Sequence, residues 1–259
     1  MNRFAFLLFL MVFSGFSQKK ISVNTLETIS LKADNIWNIN NFGTLFYSSG
    51  NTIYKSEEQK LYNYSNIQLG NITQVDAFNP LKINLFYKNF NTIIILDNRL
   101  SEIFKIDFNA LQPYKNVTHM STGYENTIWI FNQDMQQLEL FDFKTNKTRV
   151  SAMPVTSAVL DLDSNYNYVW LLTEDYLYTY NYFGSTISKV KNEGFLKISE
   201  DNGNLVIQTK EELFYLANNA TQLQPIAVPG LLINQFLLTN QSLYIYSGEK
   251  LHHFQLKIK

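Results

Sequence analysis

Two aspartates in one predicted strand are the residues of this sequence best placed for acid–base chemistry. Asp161 and Asp163 stand two residues apart in the segment VLDLDS, so their side chains point to the same side of a strand. Glycoside hydrolysis needs two carboxyl groups that converge on one sugar. Three further acidic pairs, which solvated turns explain equally well, are Glu174/Asp175, Glu200/Asp201 and Glu211/Glu212. A glycan-cleaving enzyme is therefore one hypothesis.

The remaining residue types predict no metal site and no nucleophile. The chain has 3 His and no Cys. His252 and His253 are adjacent in a predicted strand and point to opposite faces, so they cannot share a metal. His119 has no second ligand at metal spacing, which favours a hydrogen-bonded side chain. The sequence also lacks a nucleophile elbow, a zinc-protease motif and a phosphate-binding glycine loop. We predict no catalytic residues, no metal and no cofactor.

The segment SEDNGNLVIQT has the acids and amides of a calcium loop but predicts a turn. If Gly203 were the sixth residue of an EF-hand loop, the first and twelfth would be Ile198 and Thr209, which fails the ligand pattern. Asp201 and Asn202 followed by glycine are typical of a tight turn between strands.

The acidic, histidine and turn residues considered so far lie in a sequence with a repeat of about forty residues. Six apolar triplets, each followed by a turn and a further strand, are centred on Phe46, Phe86, Trp129, Trp170, Val206 and Tyr244. Four strands in a unit of this length are the pattern of a β-propeller blade, and no helical period persists. The sequence predicts an all-β fold, a single six-bladed β-propeller over residues 18–259, with seven blades as the alternative.

The last repeat is one strand short. Residues 21–31 form a spare strand near the N-terminus, and we predict that it pairs on the outer edge of the last blade. Such a closure covers strand edges that would otherwise be exposed. It also holds the ring together in a chain without disulfides.

Residues 198–215 resemble the two-component-regulator propeller repeat. The positions that fit it are Asp201, Gly203, Asn204, Leu205, Ile207, Thr209 and Leu213. Val206 replaces the Trp of the repeat, and Gln208 replaces one of its glycines. The resemblance implies a propeller fold and little about activity, because propellers serve unrelated functions.

Four aromatic residues in predicted turns are the candidate binding residues: Tyr124, Tyr166, Tyr182 and Phe183. In four-stranded blades these turns share one face of the disc, whereas the turns of the opposite face are acidic in the later repeats. Exposed aromatic side chains are typical of protein-binding and glycan-binding surfaces. A chain with 16 Tyr also places some of them in turns without a binding role.

Residues 1–17 predict a secretory signal peptide. Arg3 is followed by an apolar segment over residues 4–16, and Gly15 and Ser17 form a small-residue cleavage site before Gln18. The apolar segment is too short to span a bilayer, and no cysteine is present for a lipid anchor. We predict export to the bacterial periplasm without lipidation.

The charge pattern of the chain argues against some classes of partner. The net charge is −1, only 17% of residues are charged, and no basic cluster occurs. This argues against a nucleic-acid partner and against electrostatic binding to a membrane. No apolar run after residue 17 is long enough to span a bilayer, so we also expect no insertion into a membrane.

These observations predict a non-catalytic propeller that acts as a protein-interaction scaffold in the bacterial envelope. Its partner would be an envelope protein, such as an outer-membrane translocon. The signal peptide, size and composition are similar to those of the periplasmic propeller plug of the type nine secretion translocon. That resemblance implies a subunit or plug of a secretion machine. The alternative is a glycan-binding or glycan-cleaving propeller with its site in the central channel.

Overall fold

The computed structural model describes residues 20–258. The predicted signal peptide lies outside the described residues. Among the described residues, no helix is long and apolar enough to cross a membrane. Short 3-10 turns occur at Lys88–Phe90 and Phe108–Ala110. The fold is therefore built from strands.

Most of the strands form sheets of four consecutive antiparallel strands. Sheet 1 contains β2 (Asn35–Ile39), β3 (Leu45–Ser49), β4 (Thr52–Glu57) and β5 (Lys60–Ser65). Sheet 2 contains β6 (Gln74–Asn79), β7 (Lys82–Tyr87), β8 (Thr92–Leu96) and β9 (Glu102–Asp107). Sheet 3 contains β10 (Val117–Thr122), β11 (Thr127–Asn132), β12 (Gln137–Asp142) and β13 (Lys147–Ser151). Sheet 4 contains β14 (Val159–Ser164), β15 (Tyr168–Thr173), β16 (Tyr176–Asn181) and β17 (Thr186–Lys191).

The remaining strands form one eight-stranded sheet in which β1 joins two halves. One half contains β18 (Lys197–Asp201), β19 (Asn204–Gln208), β20 (Leu213–Leu216) and β21 (Gln224–Ala227). The other half contains β22 (Gln235–Thr239), β23 (Ser242–Ser247), β24 (Lys250–Leu256) and β1 (Ile21–Ser30).

The N-terminal strand β1 lies beside β24, where the sequence predicted it. The pairing is antiparallel and runs from Val23 opposite Leu256 to Ser30 opposite Lys250. The first two residues of β1 also pair in parallel with β21, through Ile21 opposite Ile226. The sequence did not predict this second pairing, because two residues are too few to carry a strand pattern.

The first strands of the units surround a common axis. β2, β6, β10, β14, β18 and β22 contact one another in that order, and β22 contacts β2 again. Apolar cores lie between adjacent sheets, so both faces of each sheet are buried. In sheet 3, for example, Ile128 and Ile130 pack toward sheet 2, whereas Trp129 packs toward sheet 4. Burial on both faces explains why the triplets are apolar at consecutive positions. This arrangement is that of a β-propeller.

Candidate functional site

The four predicted aromatic residues lie together on one face. In each antiparallel unit, the turns between the first and second strands and between the third and fourth strands open on the same side. Tyr124 and Tyr166 lie in turns of the first kind, whereas Tyr182 and Phe183 lie in the turn between β16 and β17. We call this side the aromatic face and the opposite side the connector face.

Their rings form a continuous edge-to-face series. The ring centroids of Tyr124 and Tyr166 are 5.6 Å apart, those of Tyr124 and Tyr182 6.4 Å, and those of Tyr182 and Phe183 6.1 Å. The interplanar angles are 83°, 87° and 80° in the same order. This is the geometry that aromatic pairs prefer.

Phe78 extends the series and was not predicted from the sequence. Its ring centroid is 5.0 Å from that of Tyr166, at an interplanar angle of 82°. Phe78 lies within β6, where an irregular register between Asp76 and Asn79 accompanies its exposure. Asn79 and Pro80, which are typical of turns, are the sequence feature that could have placed Phe78 beside a turn. We call the five residues the aromatic array: Phe78, Tyr124, Tyr166, Tyr182 and Phe183.

The aromatic array exposes a large apolar surface. Phe183 is 77% exposed, Tyr124 48% and Phe78 42%. Large aromatic side chains in contact with one another at the surface are typical of binding sites, since a monomer in isolation gains nothing from keeping them in water.

Two charged residues of sheet 2 hold the turn that carries Tyr124. Lys82 Nζ donates hydrogen bonds to the carbonyl oxygens of Gly123, Glu125 and Thr127 at 2.9, 2.9 and 3.0 Å. These three bonds use all the protons of the ammonium group. The close packing of the turn requires a glycine at position 123, because a Cβ there would come within 2.5 Å of Thr127 Oγ1.

Asp76, on the inner strand β6, also stabilises the turn that carries Tyr124. Its Oδ2 atom accepts hydrogen bonds from the backbone N–H of Thr122 at 2.5 Å and from Ser121 Oγ at 3.1 Å. Burial raises the pKa of Asp76, although these hydrogen bonds and the charge of Lys82 act to lower it. Burial also lowers the pKa of Lys82 to about 8, against the attraction of Asp76. The turn is thus fixed by buried polar groups of the preceding sheet.

The central channel contains the acids that suggested catalysis. The inner strands line a cavity of about 220 Å³, and the carboxyl groups on its wall are those of Asp76, Asp161, Asp163 and Glu200. Within residues 20–258, no group of three or more histidine, cysteine, aspartate or glutamate side chains is arranged to hold a metal ion.

Asp161 and Asp163 are engaged by the neighbouring inner strand. Asp161 Oδ2 accepts a hydrogen bond from the backbone N–H of Ile198 at 3.0 Å, and Asp163 Oδ2 accepts one from Glu200 N–H at 2.8 Å. The other oxygen of each carboxyl accepts a bond from the next residue of β14, Leu162 or Ser164. Both carboxyl groups therefore connect β14 to β18.

The electrostatics of the channel follow from burial. Burial raises the pKa of Asp161, and it raises that of Asp163 well above the ordinary value, with a further contribution from the charge of Glu200. His119 does not line this cavity; its Nδ1 lies 3.1 Å from Thr118 Oγ1, and burial lowers its pKa to about 4.

The fold and the array define a class of protein, a β-propeller with an aromatic face. Solved structures with this fold include virginiamycin B lyase from Staphylococcus aureus, in a catalytically inactive form with quinupristin. It has 12% sequence identity and a TM-score of 0.62, over 87% of this chain and 82% of that one. A streptogramin B lyase has 13% identity and a TM-score of 0.61, over 85% and 78% of the two chains.

A third similar structure is PorZ, an essential bacterial surface component of the type-IX secretion system of Porphyromonas gingivalis. It has 12% identity and a TM-score of 0.54, over 87% of this chain but only 32% of PorZ. No family model and no curated protein sequence matches the chain. At these identities, the similarities establish the β-propeller fold alone.

Proposed function

We propose that this chain is an exported six-bladed β-propeller that acts as a protein-interaction scaffold in the bacterial envelope. The observation that carries the proposal is the aromatic array. Aromatic residues are enriched at protein interfaces, and a few such anchors contribute most of the binding energy. The partner would be an envelope protein that covers the aromatic face.

Six blades are supported by the cyclic contacts of the inner strands, from β2 round to β22 and back to β2. The eight-stranded sheet then counts as two blades that share the N-terminal strand. On this count β1 supplies the outermost strand of the sixth blade, next to β24.

The bacterial envelope is favoured by the signal peptide expected from residues 1–17. PorZ offers one example of a protein with a similar propeller in a bacterial surface machine. A periplasmic scaffold needs a stable disc without disulfides, and the buried cores between adjacent sheets meet that need.

We propose no catalytic role for this chain, because the two aspartates of the central channel serve a structural purpose. A general acid or base needs an oxygen that is free to reach the substrate. Each oxygen of Asp161 and Asp163 instead accepts a hydrogen bond from a backbone N–H group, so both carboxyl groups are held in place by β14 and β18. The lyase neighbours are enzymes by name, whereas Asp161 and Asp163 of this channel join two inner strands.

The proposal is tested by affinity purification from envelope extract of the native bacterium. We compare the wild-type chain with Phe183→Ala, Tyr124→Ala and the control Phe90→Ala. Phe90 is 47% exposed and lies on the connector face, in the turn between β7 and β8. We expect the array variants to lose a protein that the wild type and the control retain. Recovery of no partner, or equal recovery by all four proteins, would contradict the proposal.

A further inference from the structure

A second cavity lies beside the aromatic array on the same face. It has a volume of about 310 Å³, at the small end of the range for ligand pockets, and opens between the β14–β15 turn and the β18–β19 turn. We call it the turn cleft. Its walls include the rings of Phe78, Tyr166 and Tyr168 and the amides of Asn167, Asn202 and Asn218.

The partly buried carboxylate of Glu200 ties the two walls of the turn cleft together. Glu200 Oε1 accepts a hydrogen bond from Asn165 Nδ2 at 2.8 Å and another from the backbone N–H of Gly203 at 2.7 Å. Asn165 Oδ1 in turn accepts bonds from the backbone N–H groups of Asn167 and Tyr168. The walls are thus fixed before any ligand binds, which reduces the entropy cost of binding.

The aromatic rings of the turn cleft form a corner. The ring planes of Phe78 and Tyr166 meet at 82°, and the ring of Tyr168 forms a further part of the lining. A pyranose ring has an apolar face of C–H groups and a rim of hydroxyl groups. Its apolar face can stack on one ring of the corner while its edge contacts the other.

The polar atoms of the turn cleft suit hydroxyl groups. Within residues 20–258, the side-chain amides of Asn167 and Asn218 and the hydroxyl of Tyr168 make no hydrogen bond to protein. An amide offers both donors and an acceptor, so it can pair with adjacent hydroxyl groups of a sugar.

The charge of the turn cleft selects against anions. Its one acidic residue is Asp201, whose Oδ2 accepts bonds from Asn202 Nδ2 and from the backbone N–H of Asn240. No lysine or arginine lines the turn cleft among the described residues. An uncharged ligand with many hydroxyl groups fits this lining better than a phosphate or an acidic sugar does.

We infer that the turn cleft binds a neutral oligosaccharide. This inference goes beyond the proposed scaffold function and does not depend on it. The two surfaces share Phe78 and Tyr166, whereas Phe183 belongs to the aromatic array and not to the turn cleft. Variants can therefore separate the two activities.

The test is an NMR titration of the ¹⁵N-labelled protein over residues 18–259. The ligands are maltotriose, cellotriose and N,N′,N″-triacetylchitotriose, each up to about 10 mM, a range that detects millimolar dissociation constants. We expect at least one sugar to shift the backbone signals of residues 165–168 and 201–204. Phe78→Ala and Asn218→Ala should each weaken that binding about fivefold or more. Asn218 is exposed, so its replacement leaves the fold intact.

Phe183→Ala is the matched control and should bind the sugar like the wild type while it loses the protein partner. The inference is overturned if none of the three sugars shifts these signals. It is also overturned if the shifts map to the central channel, or if Phe78→Ala and Asn218→Ala bind as well as the wild type. Failure to find a protein partner leaves all these outcomes unaffected.

Discussion

At the scale of single residues, Lys82 shows how a buried charge positions an exposed ring. Its ammonium group reaches from sheet 2 to three carbonyl oxygens around Tyr124. Tyr124 could be predicted from the sequence because turn residues surround it. The role of Lys82 could not be predicted, because its contacts join residues 41 to 45 positions apart and leave no local pattern.

Replacing Lys82 with methionine should loosen the Tyr124 turn. The change keeps the apolar stem but removes the donors for three carbonyl oxygens, so we expect the free energy of unfolding to fall by about 1–3 kcal/mol. Amide hydrogen exchange over residues 122–127 should become faster. The exposed Lys105, replaced in the same way, should change neither measurement. Unchanged exchange in the Lys82 variant would refute the proposed support of this turn.

Gly203 sits in the turn that the segment SEDNGNLVIQT predicted. Its φ is +81°, and a Cβ at this position would come within 2.5 Å of Asn218 Nδ2. Gly203→Val should therefore lower the free energy of unfolding by about 1–3 kcal/mol, measured by denaturant titration. Gly230 has neither a positive φ nor a close neighbour, so Gly230→Ala should have little effect. Equal stability of the two variants would argue against strain at Gly203.

At the scale of strands, polar side chains of one inner strand bind the backbone of the next. Asp161 and Asp163 of β14 accept hydrogen bonds from β18, and Ser199 of β18 accepts one from Leu238 of β22. The sequence showed that the two aspartates share one side of a strand. It could not show what they contact, because the partner strand is defined only by the closed packing of the sheets.

Asp163→Ala and Asp163→Asn separate the hydrogen bond from the charge. The alanine leaves the Glu200 N–H without its acceptor, so we expect a loss of about 1–3 kcal/mol. The asparagine keeps an acceptor and should lose less. Denaturant titration of both variants against the wild type checks this order, and a larger loss in the asparagine variant would contradict it.

The same carboxyl group predicts a pH dependence. Because burial raises the pKa of Asp163 in the folded state, that state binds more protons than the unfolded chain above the ordinary aspartate pKa. The wild type should therefore lose stability relative to Asp163→Asn as the pH rises through this window. Denaturant titration between about pH 4 and pH 7 measures the difference. A difference that stays constant, or changes in the opposite direction, would show that the pKa is not raised.

The N-terminal strand β1 predicts a further difference in stability, between a buried and an exposed apolar residue. Ile21 is 4% exposed and packs in the core shared by the two halves of the eight-stranded sheet, whereas Leu26 is 54% exposed at an irregular point of β1. Ile21→Ala should cost about 2 kcal/mol or more, and Leu26→Ala should cost less than about 0.5 kcal/mol. Thermal unfolding of both variants tests this contrast. Similar losses would mean that β1 does not anchor the two halves.

At the scale of the whole molecule, the repeat of apolar triplets was enough to predict the propeller fold. Each triplet lies in the second strand of a unit, where both faces are buried, and this makes the pattern strong. Phe78 was missed because exposed residues follow no such pattern. The aromatic array depends on how separate sheets place their turns side by side, which a single repeat does not encode.

The central claim is that a protein partner covers the aromatic face. The most direct measurement replaces Phe183, or Phe90 on the connector face, with a photo-crosslinking phenylalanine analogue in the native bacterium and irradiates the cells. We predict a specific cross-linked protein from position 183 and none from position 90. Cross-links from position 90 alone, or none from position 183, would contradict the account.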